Sequence, residues 1–226
     1  MREVVIDTET TGLNYKTGDR IIEVGCVELI NHVPTGNNLQ FYCSTKKIID
    51  EEAVKIHGLT NNFLNNHPTF KEQSDNFLNF IGDDILIIHN ANFDIGFINN
   101  ELKLIGANPI NNKVVDTLLL ARKKLNTRIA NLDFLCRKFS IDISARTTHG
   151  AILDCQLLAE VYIELIGGKQ TTLKFIEHDN NTTITNNKNS INTKDITKIT
   201  ISEKEIKSHK DFVKNLKNPL WKKLNY

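Results

Sequence analysis

Apolar and polar positions change period several times along the chain. Val4, Val5 and Ile6 form a β-branched run that predicts a short buried strand, stopped by the Thr-Thr-Gly turn at 10–12. Residues 21–30 and 39–43 predict two more strands, and ILIIHN at 85–90 predicts another buried one. Between them the period becomes helical. A short helix is expected at 50–57, ended by Gly58, and a longer one at 70–81, where Phe70, Phe77, Leu78 and Ile81 share a face. A helix at 91–105 closes at Gly106 and Pro109. Val114 and Val115 begin a short strand that leads through Asp116 and Thr117 into a helix reaching Leu125. Helices at 131–139 and 150–166 follow, the last stopped by Gly167 and Gly168. This alternation predicts an α/β fold with a mixed central sheet flanked by helices.

After Gly168 the texture changes. Residues 178–195 are polar, rich in Asn and Thr, and without apolar period, which predicts a flexible linker. Order returns at 200–224. Ser202 and Glu205 have the spacing of a capping box, and Ile206, Phe212, Val213 and Leu216 give part of an apolar stripe, with Trp221 beyond Pro219. An apolar face on a tether calls for a partner surface, with a helix folded back on its own domain as the alternative. The expected organisation is a catalytic domain at 1–168, a linker at 169–199 and a partner-binding segment at 200–226.

The 226 residues suit one domain plus an extension, and a hydrophobic content of 40% is enough for a core. No apolar run approaches the roughly 20 residues of a membrane span. The N-terminus enters its first strand at once, so no leader is expected. Cys26, Cys43, Cys136 and Cys155 show no C-x-x-C spacing and read as free thiols of a reducing cytoplasm. The formal charge of +1 hides an asymmetry: residues 1–167 carry 16 basic against 21 acidic side chains, and residues 168–226 carry 12 against 6. An acidic globular part is a poor binder of nucleic acid by itself, because non-specific affinity comes from neutralising phosphates.

The candidate chemistry starts in VVIDTETTG, residues 4–12. Alternation along a strand sends Asp7 and Glu9 to the same side. Adjacent carboxylates repel, and a buried one without a partner is costly, so positive charge is expected between them. Arg2, Lys16 and Arg20 are near in sequence; a divalent cation with a taste for hard oxygen ligands, magnesium or manganese, is the alternative. Two later strand-to-helix junctions add acids. HNANFDIGF at 89–97 places Asp94 in a first helical turn, and HGAILDCQLLAEVY at 149–162 places His149 before a helix and Asp154 within its first turns. Each acid alone would be an ordinary helix-start residue favoured by the dipole.

Together, Asp7, Glu9, Asp94, His149 and Asp154 have the order and spacing of the DEDDh 3′–5′ exonucleases, and the blocks DTETTGL, EEAVKIHGLT, HNANFDIGF and HGAILDCQLLAEVY each resemble that family's motifs. The likeness is strongest to the branch that proofreads for the bacterial replicative DNA polymerase, where PTGNN at 34–38 also has a counterpart. The resemblance implies a ribonuclease H-like exonuclease fold and two divalent ions, Mg2+ or Mn2+. Asp7 would bridge both; Glu9 and Asp154 would complete the nucleophile-side ion; Asp94 would hold the other. His149 would take the proton of the attacking water. The resemblance places Glu52 and His57 near the terminal nucleotide, Thr10, Gly12 and Leu13 on the turn beneath its base, and Phe93 near the scissile end. His57 also reads as a helix-capping histidine, and His89 and Asn90 as a structural pair.

In the tail, Gln170, Leu173 and Phe175 of GKQTTLKF resemble a sliding-clamp-binding peptide, and the segment around 206–221 resembles the part that binds the polymerase alpha subunit. The implied partners are a frayed DNA 3′ end, that subunit and the clamp, at the bacterial replication fork. The competing readings are a DEDDh ribonuclease that trims RNA ends and a non-catalytic polymerase scaffold. The tethered tail argues against the first, and the complete set of acids with its histidine against the second.

Overall fold

The structure is a computed structural model that describes residues 1–146, 148–167 and 202–215. The chain divides into two units, 1–174 and 175–226. In the first, strands β1 (Arg2–Thr10), β2 (Ile21–Ile30) and β3 (Val33–Tyr42) form an antiparallel meander, and β4 (Ile85–Ile88) and β5 (Val114–Asp116) join as parallel strands. The five-stranded order β3-β2-β1-β4-β5 puts β1 at the centre. That position explains its composition: Val4, Val5 and Ile6 are fully buried because both faces of the sheet are covered.

The helices α1 (Glu51–His57), α2 (Asn61–Leu64), α3 (Phe70–Ile81), α4 (Ala91–Leu104), α5 (Thr117–Leu125), α6 (Leu132–Lys138) and α7 (Ala151–Ile166) fill the connections. One face of the sheet gathers Val4, Ile6, Val24 and Cys26 with Phe77 of α3 and Phe97 of α4. The other gathers Val5, Val27, Leu29 and Ile87 with Cys155, Leu158 and Tyr162 of α7. Alternate residues of β1 thus serve opposite cores, so a one-residue slip would misplace every side chain of the strand. Phe77 and Phe97 are fully buried, and truncating either to Ala would cost about 3–5 kcal/mol.

The expected elements are present, with three differences. β1 runs to Thr10, so Asp7 and Glu9 lie inside the strand and not at its end; their pairing with Gly25 and Glu23 of β2 carries the ladder past the apolar run. β3 begins at Val33, earlier than the expected 39, because edge residues such as Thr35 and Asn37 are exposed and carry no apolar period. The four-residue α2 and a 3₁₀ turn at Tyr15–Thr17 were not expected, and both are too short to show a period. All four cysteines are free and buried.

In the second unit, α8 (Glu203–Lys214) starts at the expected capping box: the Ser202 hydroxyl accepts from Glu205 N–H, and the Glu205 carboxylate accepts from Ser202 N–H at 2.9 Å. Among the described residues no helix is long and apolar enough to cross a membrane. The residues expected as a linker, together with Gln170, Leu173, Phe175, Leu216 and Trp221, lie outside the described residues.

Candidate active site

Packing at two places sets the position of α7 and so of Asp154. Gly25 lies opposite Asp7 in the β1–β2 ladder, and a Cβ there would fall 2.4 Å from the Ala151 carbonyl carbon. Only glycine lets the start of α7 come this close to β2. The Cys155 thiol donates to the Gly25 carbonyl at 3.2 Å, and the buried Glu23 carboxylate accepts from Ala151 N–H at 3.3 Å, anchoring the first turn. Asp154, 4% exposed, then faces β1.

Asp94 is fixed from the opposite face. The Asp116 carboxylate accepts from Asn90 and Ala91 N–H at 3.3 and 3.1 Å, and also caps α5 through Leu118 and Leu119 N–H. One side chain therefore starts two helices. Asn90 adopts a left-handed conformation, φ 64°, at the turn into α4, without a side-chain cap of its own. His89 Nδ1 lies 2.9 Å from the Thr117 hydroxyl, so His89 and Asn90, expected as a structural pair, are held by different partners, Thr117 and Asp116. Thr8, pointing away from Asp7 and Glu9, donates to Asp94 Oδ1 at 2.7 Å and joins α4 to the central strand.

His149 sits in the loop before α7. Its backbone N–H donates to the Ile56 carbonyl at 3.0 Å, which ties the loop to α1, and its half-exposed ring places Nδ1 3.5 Å from Asp154 Oδ2. Glu9, His149 and Asp154, drawn from β1, a loop and α7, bring their ligand atoms within 4.8 Å of one another. Asp7 and Asp94 stand outside this trio but within electrostatic reach of it.

The charges are poorly compensated. Burial, then the Asp94 and Glu9 charges, pushes Asp7 well above the carboxylate range. Burial, then Asp154 and Glu23, pushes Glu9 up to about 8. Burial pushes Asp94 up to about 7 although the Thr8 hydrogen bond pulls it down. The basic residues near in sequence do not answer this charge. Arg2 pairs with Glu28 and Asp84, Arg20 grips the fully buried Glu101, and Lys16 lies over the Tyr15 ring. The cation that does reach the site is Arg146. Its Nε and Nη2 donate to the two Asp154 oxygens at 2.6 and 2.7 Å, its Nη1 donates to Asp133, and Nη2 also lies 3.0 Å from His149 Nδ1.

Beside the acids opens a cavity of about 430 Å³, within the range of small-ligand sites. It is lined by all six residues expected near the terminal nucleotide: Thr10, Gly12, Leu13, Glu52, His57 and Phe93. Leu13 is 81% exposed at its wall, an apolar side chain left to solvent. Gly12 leaves room there for the Asp50 and Asp19 carboxylates, which a Cβ would meet at 2.5 and 2.6 Å and have to displace. His57 Nδ1 accepts from Leu59 N–H at 3.0 Å in the turn past α1, where Gly58 is the C-cap; its ring lines the cavity, and burial lowers its pKa.

Arg146, Thr8, Glu23 and Asp116 were not foreseen. Thr8 could have been read from strand alternation, which turns it toward the helix that carries Asp94. Arg146 stands in a loop without period, and nothing in its spacing distinguishes it. As a test for metal, the donor set is carboxylate oxygens with one imidazole, as hard divalent ions prefer, and the raised acids mark negative charge that such ions would offset. Glu23 is already engaged by Gln40 and Ala151 and is not a free donor.

Comparison with known proteins agrees with this geometry. A family described as exonuclease matches residues 4–162. DNA polymerase III subunit epsilon of Rickettsia felis is 40% identical over 222 residues, 96% of this chain and 97% of that one. The subunit of the same name from Escherichia coli K12 is 45% identical over 182 residues, 77% of this chain and 74% of that one. Among solved structures, the nuclease domain of 3′hExo, a DEDDh family member bound to rAMP, shares the fold with a TM-score of 0.65 at 17% identity, covering 74% of this chain and 92% of that one. Exonuclease X in complex with 5′ overhanging duplex DNA gives a TM-score of 0.57 at 22% identity, covering 75% of this chain and 94% of that one. The chain belongs to the metal-dependent DEDDh exonuclease family and, within it, to the DNA polymerase III epsilon subunits.

Proposed function

We propose that the chain is the proofreading 3′–5′ exonuclease of a bacterial replicative DNA polymerase, removing mispaired nucleotides from the primer 3′ end. One observation carries the reading: Glu9, His149 and Asp154, drawn from separate elements, place their ligand atoms within 4.8 Å, with Asp94, Glu9 and Asp154 all close enough to Asp7 to raise its pKa. Asp7, Glu9, Asp94 and Asp154 are the side chains that would hold two divalent ions, Mg2+ or Mn2+. Such ions, when bound, neutralise charge on the scissile phosphate and acidify water.

The chain's own residues do the rest. His149, half exposed at the edge of the acids, accepts the proton of the attacking water on a ring nitrogen. Water oxygen bonds to phosphorus as the bond to the upstream O3′ breaks, which yields a nucleoside 5′-monophosphate and a shortened 3′ end. The cavity receives the terminal nucleotide. Leu13 and Phe93 offer apolar surface to the base, Thr10 and Gly12 shape the turn beneath it, and Glu52 and His57 offer polar atoms to the sugar. Stacking and sugar contacts accept any base, so selectivity comes from the ease of unpairing a mismatch. Gln170, Leu173 and Phe175 would touch the sliding clamp, and the segment from Ser202 onward the polymerase alpha subunit.

The test is nucleotide release from mispaired and paired DNA primers and from matched RNA, with and without Mg2+. Release of dNMP is expected to be faster from the mispaired end and to need the metal. Asp7→Ala should lower it about 10³-fold, the several kcal/mol that a metal site supplies, while polymerase binding persists. Cleavage that survives Asp7→Ala would remove this site from the account, and preference for RNA ends would make the chain an RNA trimmer.

A further inference from the structure

Arg146 engages more of the site than any other basic side chain among the described residues. Only 7% of its side chain is exposed, and it is the only cation among the described residues hydrogen-bonded to one of the five side chains of the site. Its Nη2 lies 2.7 Å from Asp154 Oδ2 and 3.0 Å from His149 Nδ1, two atoms that are themselves 3.5 Å apart. One guanidinium nitrogen therefore bridges two members of the Glu9–His149–Asp154 trio. Because a guanidinium only donates, the Nδ1 lone pair is also engaged, and the neutral ring then carries its proton on Nε2. The far end of the fork reaches Asp133, in the first turn of α6, which is 43% exposed.

We propose that Arg146 is a resident counter-cation that competes with a divalent metal for Asp154 and withdraws onto Asp133 when the metal takes that carboxylate. The inference rests on the assignment of Asp154 as a metal ligand. Asp154 cannot offer the same lone pairs to a bidentate guanidinium and to a metal, and two cations sharing a buried carboxylate repel. Asp133 gives the arginine a partner at the surface, so release does not strand a buried charge. The same movement frees the His149 lone pair, so that metal uptake and arming of the proton acceptor become one event. Arg146 acts here through Asp154 and His149 and is a positioning residue.

The deciding experiment is calorimetric Mn2+ titration of the full chain without substrate, for wild type, Arg146→Met, Asp133→Asn and Asp7→Asn. Loss of the competitor should tighten Mn2+ binding in Arg146→Met by about tenfold, or about 1.4 kcal/mol. Loss of the surface partner should weaken it in Asp133→Asn by about threefold, the scale of a half-exposed ion pair. A merely structural arginine would give weaker or unchanged binding in Arg146→Met, and either result overturns the proposal. Should Arg146→Met fail to fold, Asp133→Asn decides alone: it keeps the arginine, and unchanged or tighter Mn2+ binding overturns the competition. Asp7→Asn separates the two levels of argument. If it binds Mn2+ as wild type does, the metal reading fails; if it loses the metal while the other two variants do not move, only the role of Arg146 fails.

Discussion

A carboxylate that keeps its proton near neutrality is an energetic statement about its surroundings. Glu9 rises from 4.5 to about 8 and Asp94 from 3.8 to about 7, in each case chiefly through burial. Between those limits the folded chain holds protons that the unfolded chain has released, so stability falls as pH rises through the window and stays low above it. A metal that binds only the folded, deprotonated site acts in the opposite sense. In EDTA the thermal midpoint should therefore be lower at about pH 8.5 than at about pH 5, and saturating Mg2+ should raise it more at the higher pH. Thermal melts in the four conditions check this; equal Mg2+ effects at both pH values would mean that the acids are compensated by protein alone. The acids themselves were legible in the sequence through the order and spacing they share with the DEDDh motifs; strand alternation and helix starts alone would have left each an ordinary residue. Their counter-cation was not. Arg2, Lys16 and Arg20 are near along the chain but are engaged by Glu28 and Asp84, the Tyr15 ring and Glu101, whereas Arg146 reaches Asp154 from the loop before α7.

At the level of elements, most periods were readable and the approach distances were not. The apolar spacing of 70–81 gave α3, and that of 150–166 gave α7, within a residue of their observed ends. Edge strand β3 was read too short because exposure removes the alternation that marks a strand. Gly25 shows what periodicity leaves out: inside a strand it reads as a weakness, yet its missing side chain is the contact surface for α7. Gly25→Ala should push the start of α7 outward, because the new methyl group meets backbone and not a flexible side chain. A displacement near 1 Å would lower dNMP release on the order of 10²-fold, with a loss of about 1–3 kcal/mol in stability. Steady-state rates with thermal melts test both, and an alanine variant with wild-type kcat would show that the spacing of these elements is not limiting.

For the whole molecule the division of charge matters most. Residues 1–167 carry a net −5 and residues 168–226 a net +6, so the part that holds the site repels the substrate proposed for it. Attachment to a partner at the primer end offsets this by raising the local concentration to about millimolar. A chain truncated after Gly168 should therefore still release nucleotides from single-stranded DNA but fail to co-elute with the polymerase on size-exclusion chromatography. Co-elution at wild-type strength would take the tail out of the account. The sequence by itself determined the identity and order of the acids, the alternation of strands and helices, and this asymmetry of charge, since each is a property of neighbouring residues or of simple sums. Only the tertiary structure decided which cation meets Asp154, how near α7 comes to β2, and which side chains wall the cavity. The last two depend on contacts between residues tens to more than a hundred positions apart, and the first on the path of a loop eight residues from Asp154; local period carries no signal for either.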